Sequence, residues 1–246
     1  MAFAVAACVA LTGWNNLAGW NNLAGWNNLA GRQPWHRRWY PAVNTLAAVA
    51  ALAAAAASGL TPADLGLGRD QLESGLELGA AAAAPVLAGY ALAALTPAAR
   101  PLLDDQRVAG LGRRQLAYQV LLRIPLGTVA WEEIAFRGVL QAALHRVLAG
   151  PAATAAASVM FGLWHIRPAA EALAANRLAS SRGARIAAVS GIAASTAAAG
   201  ALLSYLRERS GSLAAPVLLH LAANCTGPLA SAVATGSRPK SDHGCR

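Results

Sequence analysis

The chain has 246 residues, 56% of them hydrophobic and only 13% charged, with a formal charge of +9. A soluble domain carries about a quarter charged residues, so this composition excludes an ordinary water-covered surface and points to a polytopic membrane protein. The basic residues sit in short clusters between apolar runs, with no aromatic interleaving and no continuous basic face, which speaks for membrane loops and against a nucleic-acid partner.

Apolar runs bounded by arginine, proline and glycine predict seven spanning segments, at 2–24, 41–59, 74–96, 116–146, 151–170, 185–206 and 213–235. The expected fold class is all-α, a polytopic membrane helical bundle with about seven transmembrane segments of roughly 20 residues. Three parts follow: an N-terminal segment with repeats and a basic loop (1–40), the main helical domain (41–236) and a polar tail (237–246).

The first segment opens with "MAFAVAACVALTGW", which has no basic leader and is expected to stay in place as a span. It runs into the hexapeptide "GWNNLA", present three times in tandem from Gly13 to Ala30. On a helix each copy turns by about 240° net, so Trp14, Trp20 and Trp26 point to three faces and make no amphipathic stripe. The repeat reads as a duplicated interfacial Trp-Asn-Asn patch, and Trp35 and Trp39 beside Arg37 and Arg38 as a second interfacial anchor.

With the N-terminus outside, the cytoplasmic loops would hold Arg32, Arg37 and Arg38; Arg100, Arg107, Arg113 and Arg114; Arg167, Arg177, Arg182 and Arg185; and Arg238, Lys240 and Arg246, fourteen of the 20 basic residues. Arg69, Arg146, Arg207 and Arg209 fall on the other side. The positive-inside rule supports this orientation. Lys240 is the sole lysine and alanine is abundant, a weak pointer to a bacterium and hence to its cytoplasmic membrane. Cys8, Cys225 and Cys245 are odd in number and lack CxxC spacing, which suggests neither a disulfide framework nor a zinc ribbon.

The fourth segment contains "VAWEEIAFRGVL", with Glu132, Glu133 and Arg137 inside six positions. Ionisable groups within the bilayer cost several kcal/mol even on lenient scales, about 2.5–3.5 for an acid or base at mid-helix, so they face a protein interior. Glu133 and Arg137 are one helical turn apart with the acid first, the favourable order for an ion pair. Glu132 points about 100° away, with only Ala135 and Phe136 at the positions where a partner would sit. Poorly solvated and free, it suits a general base acting on water.

Two more polar sites lie in later segments. "MFGLWHI" places Phe161 and His165 on one helical face, and "VLLHLAANC" does the same for His220 and Asn224. A histidine with asparagine one turn on offers two donors converging on one point, suited to a developing oxyanion. His145, His36 and His243 fall at a segment end or in polar stretches and read as solvated. Glutamate with two histidines also matches a zinc ligand set, but there is no HExxH, and spacing alone leaves zinc open. No GxSxG supports a serine nucleophile, and the many serines among alanines suit close helix packing.

"EEIAFR", "FGLWH" and "HLAAN", in this order on successive segments, resemble the EExxxR, FxxxH and HxxxN motifs of the CPBP family, the CAAX protease and bacteriocin-processing (Abi) family. The resemblance covers residues 132 to 224; the first hundred residues share only an apolar, segmented character. It implies that 41–236 is a glutamate-dependent intramembrane endopeptidase needing no cofactor, with a peptide or membrane-protein substrate. By that likeness Glu132 and His165 activate the attacking water, His220 and Asn224 hold the oxyanion, and Glu133, Arg137 and Phe161 support them. Rival readings are a zinc-dependent membrane protease, a non-catalytic scaffold or bacteriocin-immunity type protein, and a proton-relaying transporter. Lipids are the other expected partner, and the oligomeric state is not legible in the sequence. The expected segment ends put Glu132 at mid-membrane, His220 nearer the outer side and His165 nearer the inner side, so their meeting requires kinks, with Pro125 and Pro168 as candidates.

Overall fold

A computed structural model describes residues 1–16, 34–108 and 111–236, which are helical with turns and contain no strand. Most of the GWNNLA repeat and all of the 237–246 tail lie outside the described residues. The helices are α1 (Ala2–Asn16), α2 (Pro34–Ala57), α3 (Leu72–Leu95), a composite α4, α5 (Gly150–Trp164), α6 (Ile166–Ala175), α7 (Arg182–Ser210) and α8 (Ala214–Gly236). The expected all-α bundle is therefore the observed one. Trp39–Ala57, Arg69–Leu95, Arg182–Ser210 and Ala214–Ala234 are each long and apolar enough to cross a membrane.

Small residues let these helices approach closely. Helix α3 buries Gly75, Gly79 and Ala83, four residues apart, against α8: a side chain at Gly79 would stand 2.9 Å from the Ala215 backbone. Helix α5 meets α7 in the same way, Gly162 lying where a Cβ would be 2.6 Å from the Ala193 carbonyl oxygen. Such small-residue contacts are the usual means of membrane helix packing, because lipid supplies no hydrophobic drive between helices. Meanwhile Leu72, Leu76, Leu87, Leu92 and Leu95 of α3 remain exposed.

Helix α4 is of a different kind. It joins Arg113–Tyr118, two wide π-helical stretches at Gln119–Ala130 and Glu133–Leu140, and Gln141–His145. The amide of Gln141 reaches back five residues to the Phe136 carbonyl, as the wide helix requires. Within the first stretch Pro125 has no N–H to give, and the Val120 carbonyl five residues back instead accepts from the Cys225 thiol of α8 at 3.5 Å. Two residues further on, the Gly127 carbonyl accepts from buried Asn44 of α2 at 2.6 Å. The widened helix is thus tied to both neighbours through backbone carbonyls that accept from their side chains. Long π-helical runs are rare and gather at functional sites.

The loops separate into two ends. At one, Arg146 donates to the carbonyls of Ser58 and Gly59, Arg207 to those of Ala63 and Asp64, and the Leu213 amide to Gly66. At the other, the Gln106 amide donates to Asn176. Consecutive connections thus alternate between ends, as spans crossing back and forth require, with Gly211 in the left-handed conformation turning α7 into α8. The segment expected at 151–170 is divided: α5 stops at Trp164, His165 occupies the break, and α6 continues at an offset. This break, together with the π-helical widening, supplies the kinks that the three motifs needed.

Candidate active site

Glu132 and Glu133 lie where the two π-helical stretches of α4 adjoin, in a core made by Trp131, Phe136, Leu140, Phe161 and Trp164. Glu133 is 0% exposed and pairs with Arg137, which is 2% exposed, at 3.1 Å. The guanidinium also lies 3.9 Å above the Phe161 ring, a cation–π contact strengthened where water is excluded. Truncating either member of such a buried pair leaves an uncompensated charge, at a cost of about 3–5 kcal/mol.

Glu133 has a second partner that sequence reasoning missed. His220 Nδ1 approaches the same Oε1 at 2.6 Å. A carboxylate only accepts, so Nδ1 carries the proton and the imidazole is fixed in one orientation. Its Nε2 then faces Asn224 Nδ2 at 3.0 Å, where the amide donates. His220 and Asn224, expected to point side by side at one target, are here bonded to each other.

Glu132 is held separately. Its Oε1 accepts from the Trp164 indole at 3.1 Å. Its Oε2 is buried and has no hydrogen-bond partner within the protein, yet faces His165 Nε2 at 3.8 Å and His220 Nε2 at 3.9 Å. His165 Nδ1 donates to the Phe161 carbonyl at 2.8 Å, leaving Nε2 as the basic nitrogen turned toward Glu132. Its ring rests edge-on against Phe161, 4.5 Å between centroids. Phe161 therefore touches Arg137, His165 and His220 at once, through its ring and its carbonyl.

All seven residues singled out in the sequence meet in one cluster built from α4, the α5–α6 break and α8. Glu132, Glu133, Arg137, Phe161 and His220 are buried, while His165 and Asn224 are partly exposed, so the cluster opens on their side. Trp164 was missed, although it stands beside His165 within "FGLWH"; an indole N–H in an apolar run needs an acceptor. His145, read as solvated, is exposed and faces Glu208 at 3.4 Å. Among the described residues, no group of three or more His, Cys, Asp and Glu side chains is arranged as metal ligands.

Residues 114–226 match the family model described as Rce1-like, type II CAAX prenyl endopeptidase Rce1-like. No curated protein and no solved structure matches the chain. The matched stretch contains all three motifs, so the likeness drawn from them is shown: this part of the chain is Rce1-like, consistent with the CPBP intramembrane proteases. The matched family is one of CAAX-type intramembrane proteases, so the match, over somewhat less than half of the chain, supports a protease with peptide or protein substrates, and the four apolar helices support a multi-pass membrane protein.

Proposed function

We propose that the chain is an intramembrane endopeptidase in which Glu132 and His165 activate the water that attacks the scissile peptide carbonyl. The observation that carries this reading is the geometry around Glu132 Oε2: one buried carboxylate oxygen with two imidazole nitrogens at 3.8 and 3.9 Å. Those separations are too long for direct hydrogen bonds and suit one bridging water.

In the proposed step, water loses a proton to Glu132 Oε2 while its oxygen bonds to the carbonyl carbon; His165 Nε2 orients it by accepting a hydrogen bond from its other O–H. The carbonyl electron pair moves onto oxygen, where the free amide proton of Asn224 reaches it, while neutral His220 accepts the other amide hydrogen bond at Nε2 and holds that donor in place. Glu133 holds the His220 ring from the other side at 2.6 Å, with Arg137 balancing the carboxylate's charge. Protonated Glu132 then returns its proton to the departing amine, yielding a carboxylate and an amine for one water consumed. Donors already held at the oxyanion position pay no reorganisation cost during the reaction.

Peptides and membrane proteins are the proposed substrates, no cofactor is proposed, and the proposed location is a bacterial cytoplasmic membrane with the arginine-rich loops at 96–112 and 176–182 toward the cytoplasm. The test is purified protein in liposomes with a fluorogenic peptide library, comparing the native chain with Glu132→Gln. Cleavage by the native chain alone supports the reading; equal cleavage by the variant overturns it. Activity lost to a chelator and restored by zinc would favour the zinc-dependent alternative, and comparative peptidomics of membranes from cells carrying each form would reveal the substrate.

A further inference from the structure

At the end of the bundle where α4 and α7 finish, a cavity of about 60 Å³ lies between Asp64, Arg137, Gln141, Ala142, His145, Arg207 and Glu208. Its rim and floor differ. Asp64, His145 and Glu208 are exposed and form the mouth, whereas Arg137 and Gln141 are each 2% exposed and form the floor. Arg137 is the residue whose other nitrogen binds Glu133 in the cluster above, so this cavity and that cluster share one wall.

A second observation joins them. Arg137 Nη2, Gln141 Oε1 and Arg207 Nε are buried polar atoms with no partner in the protein, and so are Glu133 Oε2 and Glu132 Oε2 beyond them. Four of these atoms belong to positions 132, 133, 137 and 141 of a single helix, and they run from the cavity floor to the proposed attacking site. Buried polar groups are nearly always satisfied by protein or by ordered water. The cavity is several times the minimum for one water and offers more than the two to four polar partners that a buried water needs. The mouth is held in shape: Glu208 accepts from Gln141 at 2.7 Å and contacts Thr154 and His145, while Arg207 and Arg146 pin the 58–66 loop above it.

We infer that this cavity is an aqueous vestibule, the inlet through which water reaches the buried Glu132 site past Arg137. Its ligand is water, and Gln141 and Arg137 are the positioning residues of its floor. The inlet role rests on the peptidase reading above; the hydration of the vestibule does not.

The test uses the full chain in sealed vesicles, with Cys8, Cys225 and Cys245 replaced by serine. Ala142→Cys, lining the cavity, is compared with Ala143→Cys, at the same depth but packed in the core at 3% exposed. The probe is the small water-borne reagent 2-aminoethyl methanethiosulfonate. The expected result is labelling of Ala142→Cys at least tenfold faster than Ala143→Cys, with near-native cleavage before labelling and at least a tenfold lower kcat at unchanged KM after it. Gln141→Cys on the same wall gives the labelling comparison if Ala142→Cys does not fold. Equal labelling rates overturn the vestibule, and fast labelling with undiminished cleavage overturns the inlet. A chain that labels fast but never cleaves, even unlabelled, upholds the hydrated vestibule while counting against the peptidase.

Discussion

Helix α3 and the second π-helical stretch of α4 solve opposite problems with the same backbone. Over 24 residues α3 fully buries only Gly75, Gly79 and Ala83 and leaves five of its six leucines outside. Over Glu133–Leu140 seven of eight residues are buried, two of them charged. In water the apolar residues would be inside and the charges outside. In a bilayer, lipid is as apolar as leucine, so apolarity does not choose the interior; close approach and polar satisfaction do. The lesson is that hydropathy marks the lipid-facing helices, whereas the one that carries the chemistry is marked by its buried charges: α4 is not among the four candidate spans.

The largest expected break in this contrast is chemical. Glu132→Gln keeps the shape of the side chain and its bond from Trp164 but removes the base, and cleavage in liposomes should fall by about 10²–10⁴-fold, the usual contribution of general acid–base catalysis, with the helical circular dichroism unchanged. Next is the buried pair. Arg137→Met should cost about 3–5 kcal/mol by stranding Glu133, read as a lowered denaturation midpoint in detergent. Adding Glu133→Gln to it should recover part of that loss, and a double variant no more stable than the single one would contradict the pairing.

On the α3 side, Gly79→Leu forces a side chain into the Ala215 backbone and should cost about 1–3 kcal/mol. Leu92→Ala, at a position 67% exposed, should stay within about 0.5 kcal/mol. A reversal of that order would break the comparison.

The smallest effect lies outside the spans, at Asp64. Hydrogen bonds from the Thr61 amide and hydroxyl lower its pKa below the usual value. A depressed folded-state pKa contributes stability that is present at neutral pH and lost as pH falls through it. The stability gap between the native chain and Asp64→Asn should therefore close in acid, which thermal unfolding across pH would reveal.

Much of this was legible in the sequence. The apolar runs predict the helices closely, and the four-residue spacing of Glu133 and Arg137 predicts their ion pair, because both features are local consequences of helical periodicity. What escaped was lateral. The spacing gave Glu133 one partner and the structure gives it two, since His220 arrives from a helix 87 positions on. Asn224 was read as a donor beside His220, but the fixed tautomer of His220 turns it into a donor to His220. The break at His165 falls three residues before Pro168, one of the two positions expected to kink, but the apolar run does not show that the helix stops there.

The sequence by itself determined that this chain is helical and membrane-bound, because composition and periodicity along one strand of chain suffice for those, and its three motifs carried the resemblance to the CPBP family. Only the tertiary structure decided that one oxygen of Glu132 faces two imidazoles from elsewhere in the bundle, and that a cavity at the bundle's end shares Arg137 with the same cluster. Distances between helices depend on which small residues let backbones approach and on where a helix widens or stops, and those are outcomes of packing that no single stretch of sequence contains.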